Sequence, residues 1–247
     1  MQQKTGIAQA LKNVAYIPVN FKLDATDHLW YLYMIIGLYL FMPVLSAWVE
    51  KDDRKAQRFF LIIWGYTLFL PYIKQWFPQL QGECDWNVIS TTYYFTGFTG
   101  YLLLGHYLVK YDPVPAAHAV WVGIVLYIVG SLVTYFGFVH TTTVAGRPVE
   151  IAWWFTGPNV MAQTLGLFLV LKNVKVQSNA LKRIATLTFG IYLAHYFIVR
   201  GIQPYIYNNI QALPAIKILI TVCTASVLTY ALVYLLSKLP GSKYFIG

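Results

Sequence analysis

The stretch HLWYLYMIIGLYLFMP, residues 28–43, runs on without a charged residue as far as Glu50. About twenty apolar residues in a row, coiled as a helix, match a hydrocarbon core ~30 Å thick. Trp30, Tyr31 and Tyr33 crowd its first turn, where amphipathic rings favour the membrane–water interface. Pro43 can kink such a helix without ending the span. The run closes at Glu50-Lys51-Asp52-Asp53-Arg54-Lys55. Further runs of this kind follow, and the spans read as 29–49, 58–77, 93–110, 118–139, 152–171, 184–200 and 213–237. The expected fold is an all-α, polytopic transmembrane helix bundle of about seven spans.

Composition points the same way. Hydrophobic residues make up 58% of the 247 and charged residues 11%, less than half the charge of a typical soluble domain. The aromatic share of 17% suits interfacial belts. A net charge of +9 is spread over short loops and forms no stripe or arm, which argues against nucleic acid. Residues 1–27 carry neither an apolar core nor a cleavage pattern, so they read as an amphipathic leader and 28–247 as the transmembrane domain. Within the leader, Ala8 to Ile17 suits a short surface helix, with Lys4, Lys12 and Lys22 exposed. Cys84 falls in a loop and Cys223 inside the last apolar run, so no disulfide is expected.

Basic residues set the orientation. The connections 50–58, 110–117 and 172–183, with the tail after 237, hold Lys51, Arg54, Lys55, Arg58, Lys110, Lys172, Lys175, Lys182, Arg183, Lys238 and Lys243. Beyond residue 28 the other side has Lys74, Arg147, Arg200 and Lys217. Eleven against four puts the first group and the carboxy terminus in the cytoplasm, and the amino terminus outside. Three lysines sit awkwardly in an outer leader, a conflict that an odd number of helices before residue 1 would remove.

The HLWYL head, GYLLLGHYL at 100–108, PNVMAQTLGLFLVLK at 158–172 and LTFGIYLAHYFIV at 187–199 together resemble acyltransferase family three. The resemblance covers roughly residues 22–240 and implies an integral membrane O-acyltransferase of bacterial surface glycans, in the inner membrane. It further implies a ten-helix bundle of which this chain is similar to the last seven. The family's expected catalytic element, a basic residue followed about three turns later by a histidine in its first helix, has no counterpart here. The chain is therefore expected to be truncated at its start, or completed by another chain or a homo-oligomer, or an inactive remnant, and to have little activity alone. Acyl-CoA, as donor substrate, is the small molecule implied, with membrane lipids and a surface glycan as the other partners and no cofactor beyond them.

Candidate site residues follow from depth. Counted along one helix, His195 lies twelve residues past Arg183, roughly 18 Å from the cytoplasmic face. Arg200 then stands at the outer boundary and Tyr192 one turn below His195. Asn159, beside Gly157 and Pro158, falls where an unwound turn would expose backbone groups. His195 and His28 are the catalytic candidates, with Trp30, Tyr33, Asn159, Tyr192 and Arg200 on the acceptor side. A neutral imidazole can serve as base toward a hydroxyl. The plainer alternative is that His195 and Asn159 join helices by hydrogen bonds. On the acyl-CoA side His106, Lys110 and Arg183 are the candidates for attracting phosphates, against a purely topological role. No HxxxH, CxxC, GxSxG or phosphate-binding loop occurs, and no metal site is expected. A glycan or lipid transporter with its broken turn at 157–159, or a non-catalytic membrane subunit, are the alternative readings. A retinal protein is disfavoured because the last helix has lysines only near its ends, Lys217 and Lys238.

Overall fold

A computed structural model describes residues 27–77, 79, 90–174 and 178–242. The helices are α1 (Trp30–Val49), α2 (Arg54–Thr67), α3 (Leu70–Trp76), α4 (Thr99–Tyr111), α5 (Ala116–Ala145), α6 (Pro158–Asn173), α7 (Asn179–Thr186), α8 (Thr188–Asn209) and α9 (Pro214–Leu236). Short 3₁₀ turns cover Asp27–Leu29, Ser90–Phe95 and Glu150–Trp153. The expected leader helix, Cys84, and Lys175 and Lys243 lie outside the described residues. Contacts divide the chain into two units, Met34–Lys175 and Met1–Tyr33 with Val176–Gly247.

The protein is all-helical among the described residues and belongs in a membrane. Three helices are long and apolar enough to cross one: α1, α5 and α9. The pair α7 and α8 makes a fourth if its 69° bend is counted within one span. The other apolar runs give shorter helices. Run 58–77 is split between α2 and α3, because Pro71 at the start of α3 lacks the N–H that would continue the ladder. Run 93–110 yields a 13-residue helix, about 20 Å long, and run 152–171 a 16-residue one, about 24 Å. Leu40 at 77% and Trp121 at 71% exposure show how apolar the outer faces of α1 and α5 are, as lipid contact requires.

In the unit Met34–Lys175, α5 and α6 pack closest. Gly123 faces Gly166 and Leu169, while Gly130 faces Asn159 and Gln163, so the two helices run antiparallel. A Cβ on Gly123, Gly130 or Gly166 would come within 2.6 Å of a backbone carbonyl of the opposite helix. Glycine at these positions is what lets the two backbones meet. Gly137 continues the seven-residue spacing and lies against Ala152.

Both ends of this unit are tied. At one end Lys110 pairs with Asp52 at 2.9 Å, and Tyr111 donates to the same carboxylate at 2.6 Å. Lys172 pairs with Asp112 at 2.7 Å and donates to the Leu108 carbonyl. The connections after α1, α4 and α6 therefore share one end, as the basic residues had indicated. Asp53 caps α2 by accepting from the Ala56 N–H. At the other end, side chains hold irregular backbone. Trp64 Nε1 donates to Gly97 O, Tyr101 to Phe155 O, and Tyr72 to Ile151 O.

In the other unit, α8 and α9 pack against each other. Thr221, Ala225, Thr229 and Val233 form the buried stripe of α9, one small or medium residue per turn. Helix α7 buries none of its residues.

The bend at Leu187 corrects the depth argument. Rise must be counted from Thr188, which puts His195 only about 11 Å along a helix about 33 Å long. Arg200, twelve residues in, is near the middle of α8 and not at its outer end. The count from Arg183 failed because Leu187 ends α7 with a tightened turn, its N–H reaching Ile184 O and Ala185 O.

Candidate active site

Helix α8 presents Tyr192, His195, Tyr196 and Arg200 at spacings of three and four, which places them on one face. The 3₁₀ turn that leads into α1 brings His28 to that face. Its ring stacks on Tyr196 with centroids 4.4 Å apart and meets His195 edge-on at 6.0 Å. Phe197 closes another side, edge-on at 5.6 Å. The two histidines singled out from sequence, 167 positions apart, thus share one cluster.

Tyr192 organises both. Its hydroxyl donates to the His28 carbonyl, and its own carbonyl lies 2.6 Å from His195 Nδ1. A carbonyl only accepts, so Nδ1 carries the proton, and in the neutral ring Nε2 is then left with its lone pair. That is the tautomer a general base needs. The Arg200 guanidinium sits over the Tyr196 ring at 5.2 Å, so its charge rests on an aromatic face. Trp30 meets Tyr31 edge-on at 6.1 Å, and Tyr31 meets Tyr192 at 5.2 Å. Tyr33 is half-buried in the same N-terminal turn of α1. The sequence reading missed Tyr31, Tyr196 and Phe197. For Tyr196 the signal was present, as the residue one turn beyond Tyr192.

Asn159 does not belong to this cluster. It is 5% exposed, in the unit Met34–Lys175, and its bonds are spent there. Its amide donates to Thr134 Oγ1 at 2.7 Å and to Ala152 O at 2.5 Å, and Tyr72 donates to its carbonyl oxygen at 2.9 Å. The expected unwound turn is absent as well. Gly157 is extended and Pro158 opens α6 normally, since proline suits the first helical position. Asn159 is helix glue.

The acyl-CoA candidates are divided between the two units, His106 and Lys110 in one and Arg183 in the other. Lys110 is occupied by Asp52. His106 is half-buried on α4, with Nε2 enclosed and without a hydrogen-bond partner. Arg183 is exposed on α7. Asp52 is the better-defined charge. The Tyr111 hydroxyl and then the Lys110 ammonium hold its carboxyl below the usual range, and the same bond pushes the Tyr111 phenol up.

Helices long and apolar enough to cross a membrane, together with an imidazole–phenol cluster on α8 and at the start of α1, define a membrane protein. The family model described as an acyltransferase domain matches residues 4–238, nearly the whole chain. The chain belongs to acyltransferase family three, and the family carries membrane acyltransferase activity. No curated protein and no solved structure matches it.

Proposed function

We propose that the chain is an O-acyltransferase of the bacterial inner membrane. It moves an acyl group, acetyl in the simplest case, from cytoplasmic acyl-CoA to a hydroxyl of an extracytoplasmic surface glycan. The observation that carries this reading is the orientation of His195, whose Nδ1–H is held by the Tyr192 carbonyl so that Nε2 can accept a proton. In the transfer the glycan hydroxyl oxygen attacks the thioester carbonyl carbon while Nε2 takes its proton. The C–S bond then breaks, and the imidazolium returns the proton to the departing thiolate as free CoA thiol. His28 stands edge-on to His195 as the second imidazole, and Tyr192 positions both. Trp30 and Tyr33 border the acceptor and Arg200 helps orient it, while Arg183 on α7 meets the CoA phosphates. On this reading a donor from the α7 end and a hydroxyl from the opposite end meet at His195, about 11 Å along α8.

The test uses membranes from cells that make the chain, supplied with acetyl-CoA labelled in its acetyl group, and measures label in the envelope glycan. His195→Ala should lower transfer by about 10²–10⁴-fold, the usual contribution of a positioned base. His195→Gln should lose as much if proton transfer is required. Transfer unchanged in a folded His195→Ala protein overturns the assignment. Absence of any transfer leaves the non-catalytic subunit in its place.

A further inference from the structure

The unit Met34–Lys175 encloses a cavity of about 540 Å³, within the range of small-molecule sites. Described residues on its wall include Thr67, Lys74, Thr96, Glu150, Trp154 and Thr156. It lies at the end of the unit opposite the Lys110–Asp52 and Lys172–Asp112 pairs. Three helices show this. Helix α2 runs from Arg54 to Thr67 at the cavity, while α4 and α6 start beside Gly97 and Thr156 and end at the ion-paired loops.

The wall is built and held. The carbonyl of Gly97 is fixed by Trp64, that of Ile151 by Tyr72, and that of Phe155 by Tyr101. Asn159 holds Ala152 behind the same turn, and Gly157 N–H closes on Trp154 O at 2.8 Å. A Cβ on Gly157 would meet Asn159 Oδ1 at 2.9 Å, so that turn packs tightly on its support. Side chains that fix main chain on several walls keep a cavity in shape before any ligand arrives.

The lining has a particular chemistry. Thr67 and Thr96 give their protons to Trp64 O and Tyr93 O and keep only lone pairs for a ligand. Thr156 can donate and accept, Lys74 donates, Glu150 accepts, and Trp154 with Leu70 and Ile151 supplies a broad apolar face. A sugar ring has the same two-sided character, with hydroxyls around its rim and C–H bonds on its face. A lipid tail would make no use of Lys74 and Glu150, and a compact anion would meet Glu150. We propose that this cavity binds a pyranose of the acceptor glycan, Trp154 stacking on the ring face while Lys74, Glu150 and the threonines bond its hydroxyls. The assignment rests on the glycan-acylation reading, and its position opposite the basic loops agrees with an outward-facing acceptor.

The test is saturation-transfer NMR on the full chain in phosphatidylethanolamine–phosphatidylglycerol nanodiscs. The probes are methyl glucoside, methyl galactoside, methyl rhamnoside and N-acetylglucosamine. At least one should receive saturation at its ring C–H protons. Trp154→Ala should cut that signal about tenfold and Glu150→Gln several-fold, with Trp154→Phe restoring most of it. Trp121→Ala, at the ion-paired end and 71% exposed, should leave it unchanged. No saturation of any sugar, or saturation indifferent to both Trp154→Ala and Glu150→Gln, overturns the proposal. Thermal unfolding of each variant in the same nanodiscs separates lost binding from lost fold. Sugar binding without acyl transfer keeps the subsite and removes the enzymatic reading. Acyl transfer that Trp154→Ala does not affect removes the subsite alone.

Discussion

Asp52 accepts from a phenol and pairs with an ammonium, and both partners favour its ionised form. Its folded pKa is lowered, so its stabilising contribution is complete above the unfolded carboxyl value of about 4 and fades as pH falls through the folded value. Tyr111 is raised, so its share is complete below about pH 10 and lost above that. The difference in Tm between the parent and Asp52→Asn in detergent should therefore be level from about pH 5 to 9 and narrow on either side. A difference that grows below pH 4 contradicts this. Asn159 makes a different prediction. Three buried bonds converge on it, so Asn159→Ala should cost on the order of 1–3 kcal/mol, read as a lower denaturation midpoint. Asn159→Asp, which cannot donate to Thr134 and Ala152, should cost at least as much. At this scale the sequence marked His28, Tyr192 and His195, because ionisable and amphipathic groups are costly inside apolar helices unless they serve a purpose. It marked Asn159 for the same reason, and of the two settings offered for it the hydrogen bonds favour the one in which it joins helices. Polarity in an apolar run reveals that a group has partners, and not whether those partners are substrate or protein.

Glycines decide the packing of α5 on α6. Gly123, Gly130 and Gly137 recur every seven residues, a spacing that keeps one seam facing a neighbour crossing at a small angle. Gly130→Leu drives a side chain into the Asn159 carbonyl, 2.5 Å from where its Cβ would stand, and should cost more than the ~1–3 kcal/mol of ordinary overpacking. Gly105, whose Cβ would meet nothing within 4 Å, should accept alanine with little loss. Limited proteolysis of the two variants in detergent checks both outcomes. The pattern was visible in the sequence, yet apolar run length says nothing about which face of a span must be small. Run length also failed at Pro71 and Leu187, where the chain stays apolar while the helix stops. Hydropathy reports where a residue is comfortable, whereas helix continuity depends on backbone bonds that proline and tightened turns interrupt. The transporter alternative rested on such a break at 157–159, and the ordered start of α6 takes that support away.

For the whole molecule, orientation remains the proposal with the widest reach. With the basic loops inside, a cysteine at Gly146 should react with a membrane-impermeant maleimide in intact cells and one at Asp53 only after lysis. The reverse pattern would turn the cavity toward the cytoplasm and exclude an external glycan from it. The paired lysines add a consequence in time. During synthesis Lys110 and Lys172 emerge as uncompensated cations, and the insertion machinery reads basic residues far more strongly than acidic ones. In the folded unit Asp52 and Asp112 pair with them. With the basic loops inside, the same two side chains would both steer the nascent chain and clamp the finished protein. Removing an aspartate should loosen the clamp and leave the chain threaded in its normal direction. Removing a lysine should disturb both, so biogenesis and stability can be pulled apart by the choice of which half of the pair to change.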